Sequence, residues 1–259
     1  MAKEILSVQK AMLALDILAF QDFSGKGMRL NELARQMQLK PSTLHGILQT
    51  LVACGYVEQD ENACYHTGKR FQQIWTLNRF RMNPAISMRL EEGLHALCER
   101  TGESVSFYVL ENGERINYNN LLGNFRIKVD YTMLEEHSIY DYPSGKILVA
   151  YANETQLKQI VEKHGFPDAL WDGISDFGQL REAIARLRAQ GYATRCTEDV
   201  ASVSAPVLLP DGRLLGAIGV YMPVSHYDSA ALGRAVSEMQ KFAQQFAHLS
   251  EQTLWSIRF

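Results

Sequence analysis

The chain has 259 residues, 46% hydrophobic and 21% charged, an ordinary composition for a globular protein of about two domains. No apolar run approaches the roughly 20 residues that span a bilayer, and the N-terminus lacks the long apolar core of a signal peptide. No CxxC spacing occurs among the scattered cysteines, so we expect no disulfide framework and a cytoplasmic, reduced protein. These cysteines are Cys54, Cys64, Cys98 and Cys196.

Net charge is distributed unevenly along the chain. The overall value is −3, but residues 1–80 contain nine basic and seven acidic side chains, whereas the remainder contains 17 basic and 22 acidic ones. This weak asymmetry agrees with a DNA-binding head on an acidic body, although it would not establish one by itself.

The first helix is predicted after Ser7, from apolar side chains at helical spacing. A second, short helix is predicted to end near Met37, with Asn31 as its N-cap because an asparagine side chain can accept from the free N–H groups of a first helical turn. The predicted buried stripe of the first helix is Val8, Met12, Leu15, Leu18 and Ala19.

A third helix is predicted from Pro41, which suits a first helical position because its missing N–H would be unpaired there anyway. Gly55 ends it, as a left-handed residue after a helix does. Two strands around a polar turn, residues 56–59 and 64–67, then form a hairpin. The apolar face of this third helix consists of Leu44, Ile47, Leu48, Leu51 and Val52.

Two helices, a tight turn and a hairpin are the organisation of a winged helix-turn-helix, whose second helix fits the major groove of DNA. The alternative is a helical hairpin whose role is only to pack within the protein. Ser42 and Thr43 can bind DNA phosphates from the start of the helix. His45 and Gln49 lie one turn apart and can reach base edges. The predicted DNA-binding residues are Arg29, Lys40, Ser42, Thr43, His45 and Gln49.

The rest of the chain mixes helices and strands without a strict βαβ alternation, which predicts an α+β domain with a largely antiparallel sheet. A helix along residues 69–82 is broken by Pro84 and marks the domain boundary. Further helices are predicted at residues 86–100, 144–152, 154–164, 177–190 and 228–253. Strands are predicted at residues 104–110, 115–121, 125–131, 202–209 and 213–222.

Several motifs resemble the IclR family of bacterial transcriptional regulators. The start SVQKA at residues 7–11 and the block LNELARQMQLKPSTLHGILQTLVACGYVEQD resemble its DNA-binding domain, and SGKILVA, GYA, APV and DGR follow in the family's order. The resemblance implies a winged helix-turn-helix (residues 1–68), a linker helix (69–83) and a GAF-like effector-binding domain (84–259). It also implies homodimers or dimers of dimers that bind a double-stranded DNA operator and a small-molecule effector.

The sequence also departs from the family pattern. Gly46 stands where arginine is common on the recognition helix, and Glu58, Asp60 and Glu61 make the wing acidic. In the second domain Leu-Glu-Glu at residues 134–136 replaces a usual glycine and two arginines, and Tyr221 stands where a small hydroxyl residue is typical. These departures indicate a rebuilt ligand pocket.

A predicted effector site begins at the helix start Ser144-Gly145-Lys146, whose N–H groups favour an anion such as a carboxylate, although a plain helix start has the same pattern. Arg195 or Lys146 supplies a counter-charge, while acids and tyrosines bind hydroxyls. The expected effector is a small carboxylate such as a sugar acid or an aromatic acid. The predicted ligand-binding residues are Tyr140, Asp141, Tyr142, Ser144, Gly145, Lys146, Arg195, Glu198, Ser202, Ser204, Gly219 and Tyr221.

Catalytic and metal-binding signatures are missing from the sequence. It contains no HExxH, GxSxG or paired-cysteine motif, and Cys64 and His66 have no evident further ligands for zinc. We therefore expect no enzyme activity, cofactor or metal. Two hypotheses remain: a ligand-responsive transcription regulator, in the first instance a repressor, and a sensor module whose winged helix mediates protein contacts.

Overall fold

The computed structural model describes residues 5–22, 26–71, 73–74, 84–130 and 138–247. Its contacts divide the chain into two compact units, Met1–Arg79 and Phe80–Phe259. Within the described ranges no helix is both long and apolar enough to cross a membrane. The predicted linker helix falls mostly outside these ranges; residues 69–71 and 73–74 are helical.

The first unit is a helical domain with a small antiparallel sheet of order β1-β3-β2. Its core lies between the helices and the hairpin, where Leu33, Leu44 and Tyr65 are almost fully buried. The elements are α1 (Leu6–Phe20), β1 (Met28–Arg29), α2 (Leu30–Gln36), α3 (Pro41–Ala53), β2 (Val57–Gln59) and β3 (Cys64–Thr67).

Helix α3 has the predicted boundaries. Pro41 occupies its first turn, and Gly55 follows the helix with a φ of +75°, the left-handed conformation that glycine adopts without strain. Leu44, Leu48 and Leu51 are buried against α1 and α2. One face of α3 is thereby fixed to the core and the opposite face is left to solvent.

The predicted cap at Asn31 is wrong. Helix α2 begins at Leu30, two residues earlier than that cap requires, after Arg29 in an extended conformation, and no side chain of the described residues caps it. The cause is the short strand β1, which the sequence analysis missed. Its pairing of Met28 with Tyr65 brings the chain out of the sheet directly into the helix.

The predicted stripe of α1 is only partly buried. Leu15 and Leu18 belong to the core as expected, but Val8 and Met12 are each 54% exposed. Ala14 and Ile17 are buried in their place. The helix therefore packs through its second half.

The second unit is an α+β domain, as predicted, around a five-stranded antiparallel sheet of order β5-β4-β8-β7-β6. Its helices are α4 (Pro84–Thr101), α5 (Pro143–Tyr151), α6 (Glu154–His164), α7 (Phe177–Gln190) and α8 (Ser229–Gln244). Its strands are β4 (Ser104–Glu111), β5 (Glu114–Leu121), β6 (Ala193–Cys196), β7 (Val200–Leu208) and β8 (Leu214–Pro223).

The sheet separates two layers of helices. On one side the rings of Phe107 in β4 and Phe242 in α8 are 6.2 Å apart, and α8 packs on α4 and β7. On the other side α5 covers β6, β7 and β8. Since successive side chains of a strand point to opposite faces, each strand contributes alternate residues to the two layers.

Three expectations for this unit are corrected. The strand predicted at residues 125–131 is not seen: residues 125–130, the part of it that the structure describes, pair with no strand. Instead, Ser104 Oγ holds this segment by donating a hydrogen bond to the Val129 carbonyl at 2.7 Å. Strand β6 was missed. The final helix α8 ends at Gln244, earlier than its apolar period suggested.

Gly145 allows α5 to start close to the preceding turn, since a Cβ at this position would lie 1.7 Å from the Ile139 carbonyl oxygen. We therefore expect Gly145→Ala to destabilise the second unit by about 3 kcal/mol or more, the upper end of the cost of overpacking. Gly233→Ala, in α8 with no atom within 4 Å of the added Cβ, is the matched control and should stabilise by up to about 1 kcal/mol. Urea unfolding measures both, and equal stability of the two variants would contradict this role of Gly145.

Candidate functional site

The outer face of α3 is polar and open to solvent. Arg29 and Lys40, which precede α2 and α3, are also exposed. A Cβ added to Gly46 in the middle of this face would meet no atom of the described residues within 4 Å, so the surface there is open to a close approach. Such a face fits the major groove of B-DNA. The predicted contact residues on α3 are all exposed: Ser42, Thr43, His45 and Gln49.

The acidic residues of the wing hold its backbone. Glu58 accepts a hydrogen bond from the Lys69 N–H at 3.0 Å. Asp60 accepts a hydrogen bond from the Cys64 N–H at 2.8 Å, and its Oδ2 contacts His66 Nε2 at 3.1 Å. The pKa of Asp60 is lowered, chiefly by the hydrogen bond from Cys64. No cluster of three or more potential metal ligands occurs in the described ranges. Two of the three wing acids thus have a structural role.

A polar face of the sheet lies beneath α5 in the second unit. Strand pairing places Tyr221 between Ser104 and Ser202, and Gly219 between Ser106 and Ser204. Paired residues point to the same side, so these side chains form one continuous surface. The polar residues of this face are Ser104, Ser106, Tyr108, Arg115, Asn117, Asn120, Arg195, Ser202, Ser204 and Tyr221.

Arg115 is the central cation of this polar face, and the sequence analysis missed it. Its guanidinium carbon lies 4.1 Å from the ring centroid of Tyr108 and 4.1 Å from that of Tyr142. Its Nη1 donates to Ser144 Oγ at 3.2 Å. The two rings fix the guanidinium by cation–π contact. No carboxylate of the described residues forms an ion pair with it.

The two cations named from the sequence have other partners. Arg195 Nη2 lies 3.0 Å from Asp141 Oδ1, so its charge is already compensated. Lys146 Nζ lies 5.6 Å from the ring centroid of Trp171, and burial lowers the pKa of Lys146. Both are therefore weaker candidates for an anion than Arg115.

Hydroxyl groups gather beside Arg115 at the start of α5. The buried ring of Tyr221 lies across Gly219, where a Cβ would approach the ring to 3.0 Å. Burial raises the pKa of Tyr221, and hydrogen bonding to Ser106 and Ser144 acts in the opposite direction. Ser204 Oγ is buried without a hydrogen-bond partner among the described residues. This cluster offers both donors and acceptors to a hydroxylated ligand.

Other predicted ligand residues serve contacts within the protein. The Tyr140 hydroxyl donates to the Gly165 carbonyl at 2.9 Å, and burial raises the pKa of Tyr140 to about 12. Ser202 Oγ donates to the Arg195 carbonyl at 3.4 Å. Glu198 is exposed in the turn between β6 and β7. The structure thus brings together the part of the predicted set around Tyr142, with Asp141, Ser144, Arg195, Gly219 and Tyr221.

Both units match models of one protein family. Residues 7–61 match the IclR helix-turn-helix domain, and residues 83–248 match the bacterial transcriptional regulator IclR C-terminal domain. The chain belongs to the IclR family of bacterial transcriptional regulators. Its winged helix is accordingly the DNA-binding part of a transcription regulator, and the resemblance drawn from the motifs is confirmed.

Individual IclR-family proteins resemble this chain over nearly its whole length. The HTH-type transcriptional regulator XynR of Escherichia coli is 25% identical over 242 residues, covering 92% of this chain and 94% of XynR. The crystal structure of IclR from Thermotoga maritima is 17% identical with a TM-score of 0.55, covering 94% of this chain and 98% of that one. An IclR homologue from Microbacterium hydrocarbonoxydans, complexed with 4-hydroxybenzoate, is 16% identical with a TM-score of 0.53, covering 93% and 98%.

The missed residues of the polar face have a sequence signal of their own. In β5 the polar Arg115 and Asn117 alternate with the buried Ile116 and Tyr118. Polar residues at every second position normally mark a solvent face. Here α5 packs over the neighbouring strands β7 and β8, and Arg115 Nη1 donates to Ser144 Oγ in its first turn, so this alternation does not mark a face open to solvent.

The DNA-binding role of α3 can be tested at two positions. His45→Ala and Gln49→Ala should each weaken specific operator binding by about 1–3 kcal/mol, because each removes a side chain that can reach a base edge. Gln240→Ala, an exposed glutamine of α8, is the matched control. Fluorescence anisotropy with labelled operator measures the change. Unaltered operator affinity in both α3 variants would remove the assignment.

Proposed function

We propose that this IclR-family regulator is a repressor that senses a small carboxylate, and that Arg115 holds the carboxylate on the polar face. The observation that carries the proposal is a half-buried guanidinium with no ion pair among the described residues. Removing a cation from water is costly unless an anion or several hydrogen bonds compensate it. A ligand carboxylate supplies both, since its two oxygens match the planar donor fork of arginine.

The surroundings of Arg115 support a carboxylate ligand. Tyr108 and Tyr142 restrict the guanidinium to one plane, so less conformational freedom is lost on binding. Ser144 lies in the first turn of α5, and no side chain of the described residues caps that helix, so its N-terminal end adds positive potential beside the guanidinium. Binding would exchange the bond from Arg115 to the neutral Ser144 hydroxyl for a stronger one to an ionised acceptor.

The hydroxyl cluster narrows the class of effector. Ser106, Ser204 and Tyr221 suit a ligand that carries hydroxyl groups besides its carboxylate, such as a sugar acid or a hydroxylated aromatic acid. The ligand of the Microbacterium homologue, 4-hydroxybenzoate, has this combination of groups. The tyrosine rings beside Arg115 favour an aromatic acid within this class.

Self-assembly is part of the proposal. Residues 1–80 carry a net charge of only about +2, and phosphate neutralisation supplies much of the affinity of any DNA-binding protein. A homodimer, or a dimer of such dimers, doubles the contacts and reads two half-sites about one helical turn or a multiple apart. A repressor of this kind covers its operator and thereby excludes RNA polymerase from the same DNA.

Calorimetric titration tests the carboxylate site. We expect Arg115→Met, which keeps the packing volume but removes the charge, to weaken a binding carboxylate by about 1.5–3 kcal/mol, the usual contribution of a hydrogen bond to a charged group. The probes are a panel of sugar acids and hydroxybenzoates, with 4-hydroxybenzyl alcohol as an analogue that lacks the carboxylate. The alcohol should bind wild type and variant with similar, weak affinity.

Arg195→Met is the matched control for this experiment. Its charge is already paired with Asp141, so it should retain most of the affinity. A carboxylate that binds Arg115→Met as tightly as wild type would contradict the proposed site. A loss of carboxylate affinity in Arg195→Met alone would instead place the ligand carboxylate at Arg195, as the sequence analysis predicted.

A further inference from the structure

A second cavity lies on the opposite side of the sheet from the polar face. It has a volume of about 170 Å³ and is bounded by the end of α4, the segment after β5, the end of β8 and the first turns of α8. Met222 in β8 and Glu103, which directly precedes β4, line it on the side of the sheet that packs on α4 and α8. Its walls are Thr101, Glu103, Phe125, Met222, His226, Ala231, Arg234 and Ala235. We call it the Glu103 cleft.

Glu103 is an unusual wall for such a cleft because it is only 5% exposed. One carboxylate oxygen, Oε1, contacts His226 Nδ1 at 2.8 Å, while Oε2 is buried without a hydrogen-bond partner among the described residues. Burial raises the pKa of Glu103, and His226 partly opposes this. A buried acceptor without a donor is costly, and more so when it is charged. Glu103, a wall of the cleft, therefore keeps one carboxylate oxygen without a donor among the described residues.

The walls of the cleft carry both a cation, Arg234, and the carboxyl group of Glu103. Arg234 at its rim is exposed and forms no ion pair among the described residues. The walls also carry apolar groups, among them Met222 and the ring of Phe125. The Phe125 ring is held edge-on to the His226 ring, with centroids 5.1 Å apart. An anion inside, a cation at the mouth and apolar walls complement a small zwitterion that also has an apolar side chain.

We propose that the Glu103 cleft is a second ligand site, separate from the carboxylate site, and that it binds a small amino acid with an apolar side chain. The ligand's ammonium group donates to Glu103 Oε2, its carboxylate meets Arg234 at the rim, and its side chain packs on Met222 and Phe125. The ammonium ion supplies the missing donor and neutralises the buried charge at the same time. Simple carboxylates lack that donor, so the effector of the polar face does not compete for this cleft.

Isothermal titration with leucine and its two truncated analogues tests the proposal on the full-length protein. The first analogue, 3-methylbutylamine, lacks the carboxylate, and the second, 4-methylpentanoate, lacks the amine. We expect leucine to bind best, the amine more weakly, and the acid not at all. Glu103→Gln should weaken leucine about 10- to 100-fold, since the amide cannot neutralise an ammonium ion.

Arg234→Gln distinguishes the rim from the interior. This exposed substitution should lower leucine affinity to that of the amine and leave the amine unchanged, and it remains informative if Glu103→Gln fails to fold. Leucine binding should persist in Arg115→Met, so failure of this cleft is distinguishable from failure of the carboxylate site. Absence of leucine binding to wild type, equal binding of leucine and 4-methylpentanoate, or indifference to both cleft substitutions would each overturn the proposal.

Discussion

The half-buried guanidinium of Arg115, stacked between Tyr108 and Tyr142, sets the main electrostatic constraint on the second domain. A cation in that position needs an anion or a full set of acceptors, and among the described residues Ser144 Oγ accepts its hydrogen bond. The sheet face around it is polar for the same reason, since apolar neighbours would raise the cost of the charge. Helix α5 covers this face and supplies the positive end of its dipole beside it. The packing of α5 on the sheet, the charge of the polar face and the proposed carboxylate recognition thus all involve Arg115.

Local chemistry explains why much of the fold could be predicted from the sequence. Pro41 and Gly55 define α3 through properties of their own backbones, and the hairpin turn after β4 follows from Asn112 and Gly113, both at positive φ. The errors arose where a distant partner decides. Asn31 lost its capping role because β1 pairs with β3, and the segment after β5 has the alternation of a strand but no partner in the described residues.

The candidate site was predictable in part for similar reasons. Ser144 and Tyr142 could be named from the sequence because a helix start and an aromatic residue beside it are local signals. Arg115 was missed because its importance comes from contacts with Tyr108 on the paired strand β4 and with Ser144 in a helix more than 25 residues away in sequence. The ion pair of Arg195 with Asp141 could not be read from the sequence either, because it joins residues 54 positions apart.

A regulator whose effector and operator bind different domains must couple them energetically, and such coupling is reciprocal. The central claim is therefore tested by operator affinity with and without saturating carboxylate effector, and effector affinity with and without operator, on the same preparation. We expect the effector to weaken operator binding by about 5- to 150-fold, and the operator to weaken effector binding by the same factor. The linker helix proposed at residues 69–83 would transmit this effect. Two affinities that are each independent of the other ligand would contradict the account.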